Sequence, residues 1–146
     1  MNFGGNKVKQ IKIKKNSNHI FCDDKSYYYE YLHINKLSNY NYLKLKDACI
    51  FVIKAQKNCT VNYDNRSIQI KTGNCINIQN YNFSLRLENA IVFVTGKKKN
   101  TNKTKKINKQ LKSQIYKVKK PWGYELWLTG EKNKNYCFKK IYLKKG

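Results

Sequence analysis

Apolar and polar residues alternate with a period of two along most of this chain, the signature of half-buried β-strands. In residues 7–15, Ile11 and Ile13 alternate with lysines, which predicts an edge strand whose charges discourage edge-to-edge pairing. The tyrosine-rich stretch 27–32 fits either a strand or a short helical turn. From Tyr40 onward the pattern is regular. Leu43 and Leu45 alternate with lysines, and 48–55 is a continuous apolar run of the kind buried on both faces. Residues 60–63 are placed to meet 67–71 across Asp64-Asn65, a pair that tolerates positive φ and suits a tight hairpin. Thr72-Gly73-Asn74 is a second turn, and Ile76 and Ile78 alternate after it. Phe83, Leu85 and Leu87 then alternate with Ser84, Arg86 and Glu88, and 90–95 forms another apolar run. Short strands with turns every eight to twelve residues or so predict an all-β sandwich or barrel.

The composition breaks at residues 97–117. The first half of that stretch lacks apolar residues and repels itself, so a solvated lysine-rich linker is expected. Ile107, Leu111 and Ile115 recur at helical spacing and predict a short amphipathic helix packed on the β domain. Beyond it, Pro121 to Gly123 force a turn, because proline fixes its φ and glycine relaxes it. Residues 124–128 and 136–144 read as the two strands of a hairpin, a unit that is marginal in water by itself. The chain thus divides into a β domain at 1–96, a linker at 97–117 and a β segment at 118–146.

Charge changes the picture less than its size suggests. The net charge is +23, from 31 basic and 8 acidic residues. Residues 21–96 contribute only three of these charges, whereas 97–120 hold eleven lysines and no acid. The basic residues include only two arginines, Arg66 and Arg86, although specific base and phosphate recognition favours arginine's planar fork. Salt-sensitive adhesion to polyanions is expected of such a surface, but no specific nucleic-acid partner. No apolar run has the length of a membrane span, and the first residues lack the apolar core of a secretion signal. A cytoplasmic protein without a membrane partner is therefore expected. The five cysteines show no Cys-x-x-Cys pair and no zinc spacing; Cys49, Cys59 and Cys75 sit in apolar runs as small buried hydrophobes.

The C-terminal segment carries a more specific signal. Lys-Pro-Trp-Gly-Tyr-Glu at 120–125, an aromatic strand, and Lys-Lys-Ile-Tyr-Leu-Lys-Lys-Gly at 139–146 resemble the opening of the cupin domain of mannose-6-phosphate isomerases of type II. The matching residues are Pro121, Trp122, Gly123, Tyr124, Glu125 and Gly146. In that family a His-x-His metal motif follows the glycine, so the resemblance ends where the ligands would begin. More faintly, residues 40–96 resemble a cupin barrel (jelly roll). The family's first motif then falls on Tyr40, Tyr42 and Asp47, and its second on Gly73 and Ser84. Of the family's ligands the carboxylate survives, at Asp47, and the three imidazoles do not, and a single carboxylate cannot hold a catalytic Zn²⁺ or Fe²⁺. The resemblance implies a degenerate, metal-free cupin-like domain at 1–96 and the first strands of a second cupin domain at 118–146. A divalent metal such as zinc is expected only if that second domain is complete. It also implies sugar-phosphate or nucleotide-sugar metabolism, with a sugar phosphate or nucleotide-sugar as ligand and a homodimer as assembly.

The chemical inventory is otherwise thin, and no catalytic residue is assigned. His19 and His33 have no acidic partner at ligand spacing. Asp23-Asp24 reads as a turn or cap. No glycine-rich phosphate loop is present. Tyr27, Tyr28, Tyr29 and Tyr31 could stack on bases or sugars, or form a strand face packed on the barrel. Besides the isomerase-like reading, two functions stay open: a non-catalytic carbohydrate-binding or dimerisation module, and a basic nucleic-acid-associated protein.

Overall fold

A computed structural model describes residues 16–79, 81–99, 115–129 and 136–146. The edge strand expected at 7–15, and all but the last residue of the helix expected from Ile107 to Ile115, lie outside the described residues. Every described element is a strand: β1 Ser17–Asp23, β2 Tyr27–Ile34, β3 Ser38–Tyr42, β4 Leu45–Tyr63, β5 Arg66–Gln69, β6 Cys75–Gln79, β7 Phe83–Lys98, β8 Tyr116–Lys120, β9 Gly123–Trp127 and β10 Lys139–Leu143. Among the described residues no helix is long and apolar enough to cross a membrane. The ambiguous tyrosine stretch is strand β2.

Two long antiparallel strands, β4 and β7, form the backbone of a seven-stranded sheet that folds over on itself. Where β4 pairs with residues 90–98 of β7, strands β2 and β1 extend one side and β6 the other. Where β4 pairs with residues 84–88, the flanking strands are β3 and β5. The two halves close over one core that includes Leu32, Ile50 and Val92 from the first half and Val61, Leu85 and Leu87 from the second. Each of these six is fully buried, worth about 1.5–3 kcal/mol of transfer free energy.

Separate strands were expected at 48–55 and 60–63, and again at 83–88 and 90–95; each pair is one continuous strand. Register shifts at Val52/Lys54 and Ala55/Asn58 let β4 bend without ending. In β7 the bend falls at Asn89, whose φ is 47°, with its N–H donating to Asn35 O over 3.2 Å. The polar run 56–58 therefore marks a bulge rather than a loop. The Asp64-Asn65 hairpin forms as expected: both residues have positive φ, and Tyr63 pairs with Arg66. Asp24 Oδ1 accepts from the Ser26 and Tyr27 N–H groups, each at 2.7 Å, closing the β1–β2 turn as a cap. Those bonds hold its carboxyl below the usual range.

The C-terminal strands form a three-stranded sheet, β10-β9-β8, rather than a lone hairpin. The added strand β8 takes in Tyr116 and Lys117 from the stretch read as linker. This sheet docks on the outer face of the folded sheet, where Leu128 joins Cys49, Phe51 and Cys75 in a second core with Phe93, Leu126 and Phe138 against it. Residues 48–52 are consequently buried on both faces. All five cysteines are free thiols.

Candidate functional site

A cavity of about 320 Å³ opens between β2, β3 and the start of β4, lined by Tyr28, Glu30, Tyr40, Tyr42, Asn41 and Lys44 among others. Its position follows from strand alternation. On β2 the even-numbered residues Tyr28, Glu30, Leu32 and Ile34 face the core, while Tyr29, Tyr31 and His33 face outward. Leu32 and Ile34 fill the interior, and Tyr28 and Glu30 reach its mouth. On β3, Tyr40 and Tyr42 do the same, with Tyr42 stacked on Phe83 at 4.8 Å between ring centroids.

Glu30 is 3% exposed, a carboxylate placed among core residues. It survives there because its oxygens are hydrogen-bonded. Tyr42 OH donates to Oε1 over 2.5 Å, and Asn18 Nδ2 donates to Oε2 over 2.7 Å. The Tyr28 phenol shares the cavity wall with Glu30 and feels its charge. A carboxylate offers about four acceptor positions, so the Tyr42 and Asn18 bonds leave it room to accept again. Burial first, and then the charge of Glu30, push the phenols of Tyr28 and Tyr42 well above their ordinary range. Both stay neutral donors at physiological pH and hold no charge for proton abstraction. At the rim Lys98 pairs with Asp23, and Lys44 adds a second cation to the lining.

Of the residues that the cupin resemblance singles out, the cavity brings together Tyr40 and Tyr42. Asp47 is buried on β4 between Gln79 of β6 and Lys97 of β7, with its carbonyl accepting from Tyr136 OH at 3.4 Å. Ser84 alternates outward between the core-facing Phe83 and Leu85, opposite Asn41 and Asn62. Gly73 occupies the β5–β6 turn with φ 83°. His19 lies with its ring 4.5 Å from Phe21, and His33 pairs with Ser17 on the outward face of β2. Among the described residues no three His, Cys, Asp or Glu side chains come together as a metal site. The donors present therefore do not fit the divalent metal of cupin enzymes, which takes about three protein ligands.

Sequence reasoning missed Glu30, Asn41 and Lys44. The signal for Glu30 is in the chain: period two puts it between Tyr28 and Leu32 on the apolar face of its strand. A charge there is unusual enough to ask what holds it.

The C-terminal motif residues lie on the three-stranded sheet, away from the cavity. Pro121 and Trp122 form the β8–β9 turn. Gly123 has φ 150°, and a Cβ there would run into the Tyr142 carbonyl, so glycine permits the β9–β10 approach. Glu125 Oε2 accepts from Trp127 Nε1 at 3.0 Å and pairs with Lys139 Nζ at 3.4 Å. The Lys139 ammonium also stands 3.7 Å over the Trp127 ring. Tyr124 stacks on Tyr142, while Gly146 follows β10 with open space around it.

No protein-family model matches the sequence, and no curated protein does either. Solved structures do resemble the fold. A conserved protein of unknown function from Streptococcus pyogenes matches with a TM-score of 0.52 at 10% identity, over 66% of this chain and 95% of that one. A cupin 2 conserved barrel domain protein from Leptotrichia buccalis matches with a TM-score of 0.51 at 15% identity, over 80% of this chain. The match spans 61% of the Leptotrichia protein. At such identities the likeness speaks for architecture alone. The chain has an all-β, antiparallel cupin-type fold.

Proposed function

We propose that this cupin-type protein binds a phosphorylated sugar in the cavity at Glu30 and acts as a binding module there, without metal-dependent turnover. The observation that carries the reading is a buried carboxylate, ringed by Tyr28, Tyr40 and Tyr42, that faces an open cavity with an acceptor position to spare. Aromatic faces suit the C–H surfaces of a pyranose, and a carboxylate suits its hydroxyls. Lys44 at the rim, beside the Lys98–Asp23 ion pair, supplies positive charge for a phosphate. A volume of about 320 Å³ is of the order that small-ligand sites occupy. The resemblance of residues 120–125 to sugar-phosphate isomerases supports the same ligand class. Isomerisation itself would need a metal-ligand set that the described residues do not assemble.

The test is thermal unfolding of the full chain with mannose-6-phosphate, mannose or inorganic phosphate. A ligand that binds only the folded state raises its stability by mass action. The expected order is a rise with the sugar phosphate exceeding that with either part. A rise with inorganic phosphate as large as that with the sugar phosphate would remove the sugar from the proposal.

A further inference from the structure

The three-stranded sheet sorts its residues by face in a way that the sequence hides. Register places Lys117, Leu126 and Lys140 in one row, and Lys119, Tyr124 and Tyr142 two positions further along the same face. The intervening row, Val118, Glu125 and Ile141, points to the other side. Among the described residues of β8, β9 and β10, Glu125 is the only acid, and it is engaged by Trp127 and Lys139 on that other face. The lysine face therefore carries no negative charge among these strands.

Half of that face is already used. Leu126 packs on the sandwich, and Lys140 Nζ stands 5.9 Å over the Phe51 ring. Past Leu126 the face continues beyond the packed contact. There Lys117 Nζ lies 4.2 Å over the Tyr124 ring, and Tyr124 stacks on Tyr142 at 4.9 Å with 17° between planes. The order across the strands is cation, ring, ring. Tyr142 sits on the edge strand, half-exposed, and among the described residues its ring contacts no aromatic ring but Tyr124. Trp122, also exposed, lies at the adjoining turn, where Lys144 N–H donates to its carbonyl at 2.7 Å.

We infer that this outer half-face is a binding site for single-stranded nucleic acid, distinct from the cavity at Glu30 and independent of what that cavity binds. A base continues the Tyr124–Tyr142 stack on the open side of Tyr142, and Lys117, Lys119 and Lys144 meet the phosphates. Bases have π-faces whatever their identity, so the site is sequence-tolerant, which fits lysines rather than arginines. A second copy of this chain is a poor occupant, because it would bring like charges together. Duplex fits less well, since its bases are stacked inside and closed to Tyr142. The net positive charge expected from sequence to give diffuse adhesion thus acquires a defined place, where lysines flank a stacked pair of rings.

Fluorescence anisotropy with labelled oligonucleotides of about 12 nucleotides, a length in the range one such module covers, tests this on the full chain. Single-stranded DNA, single-stranded RNA and duplex DNA of the same sequence are compared at rising salt. The expected result is tighter binding of single strands than of duplex, and roughly tenfold weaker single-strand binding in Tyr142→Thr, the scale of one lost stack. Threonine keeps the strand propensity of the position. Tyr116→Thr, an exposed tyrosine on the opposite face, controls for sheet disruption and is expected to leave binding unchanged. Equal affinity for single strands and duplex, with no effect of Tyr142→Thr, would reduce the site to diffuse charge and overturn the proposal. Equal losses in the two tyrosine variants would overturn it too. The two single-strand arms decide between RNA and DNA as the nucleic acid bound.

Discussion

The side-chain amide of Asn77 donates to the carbonyl oxygen of Leu128 over 2.9 Å, joining β6 to the end of β9 across 51 residues of chain. The thiols of Cys49 and Cys75 point at the same oxygen, at 3.6 and 3.3 Å. Thiols are weak donors, so Asn77 provides the strong bond to a carbonyl that is otherwise buried. Asn77→Ala is expected to lower stability by about 1–3 kcal/mol, the cost of an under-satisfied buried acceptor. Hydrogen exchange should quicken at the Leu128 and Phe138 amides while the Val92 and Leu85 amides stay protected. Uniform loss of protection would mean that the two sheets unfold as one unit and that this bond does not govern the docking.

Gly123 separates β9 from β10 as closely as backbone allows. Gly123→Ala adds a Cβ that meets the Tyr142 carbonyl at a φ of 150°, where side chains are strained by about 1–3 kcal/mol before any clash. The variant is expected to lose the β9–β10 pairing, read as collapse of the Tyr124 and Tyr142 ring-current shifts in NMR. Retention of those shifts would show that the strands tolerate the extra carbon.

Alkaline pH should unfold this protein early. Tyr28 and Tyr42 are raised above the ordinary 10.0 by burial and then by Glu30, and burial pushes the Cys59 thiol from 9.0 up to about 12. The folded chain keeps these protons while the unfolded chain releases them, so the unfolded state gains stability as pH rises. Their contribution is fully present below about pH 9 and falls from there upward, first through Cys59 and then through the tyrosines. Urea midpoints at rising pH check this. A midpoint that stays level well above pH 10 would show that the folded state releases those protons as readily as the unfolded one.

How far these features could be read in the chain depends on what each residue reports. The period-two alternation from Tyr40 onward is a direct consequence of burying one strand face, and it disclosed the sheet. The apolar run 48–55 disclosed more: cover on both faces of β4, which the C-terminal sheet supplies through Leu128 and Leu126. The continuity of β4 was hidden, because Gln56, Lys57 and Asn58 look like a loop and only the pairing with β7 shows a bulge. The sandwich site was half legible. Tyr40 and Tyr42 were placed by resemblance, whereas Glu30 lies on a different strand and joins them only when β2 and β3 both pair with β7. Long-range pairing of that kind leaves no local trace.

Titration calorimetry of mannose-6-phosphate into the wild-type chain and into Glu30→Gln asks whether the Glu30 carboxylate holds the sugar phosphate. One-to-one binding by the wild type is expected. Binding by the variant is expected to be at least roughly tenfold weaker, since a hydrogen bond to a charged group is worth about 1.5–3 kcal/mol. Unfolding curves taken alongside establish that the variant keeps its fold. Equal affinity in the two chains, or no heat from a folded wild type at millimolar ligand, would contradict the assignment of the Glu30 cavity as a sugar-phosphate site.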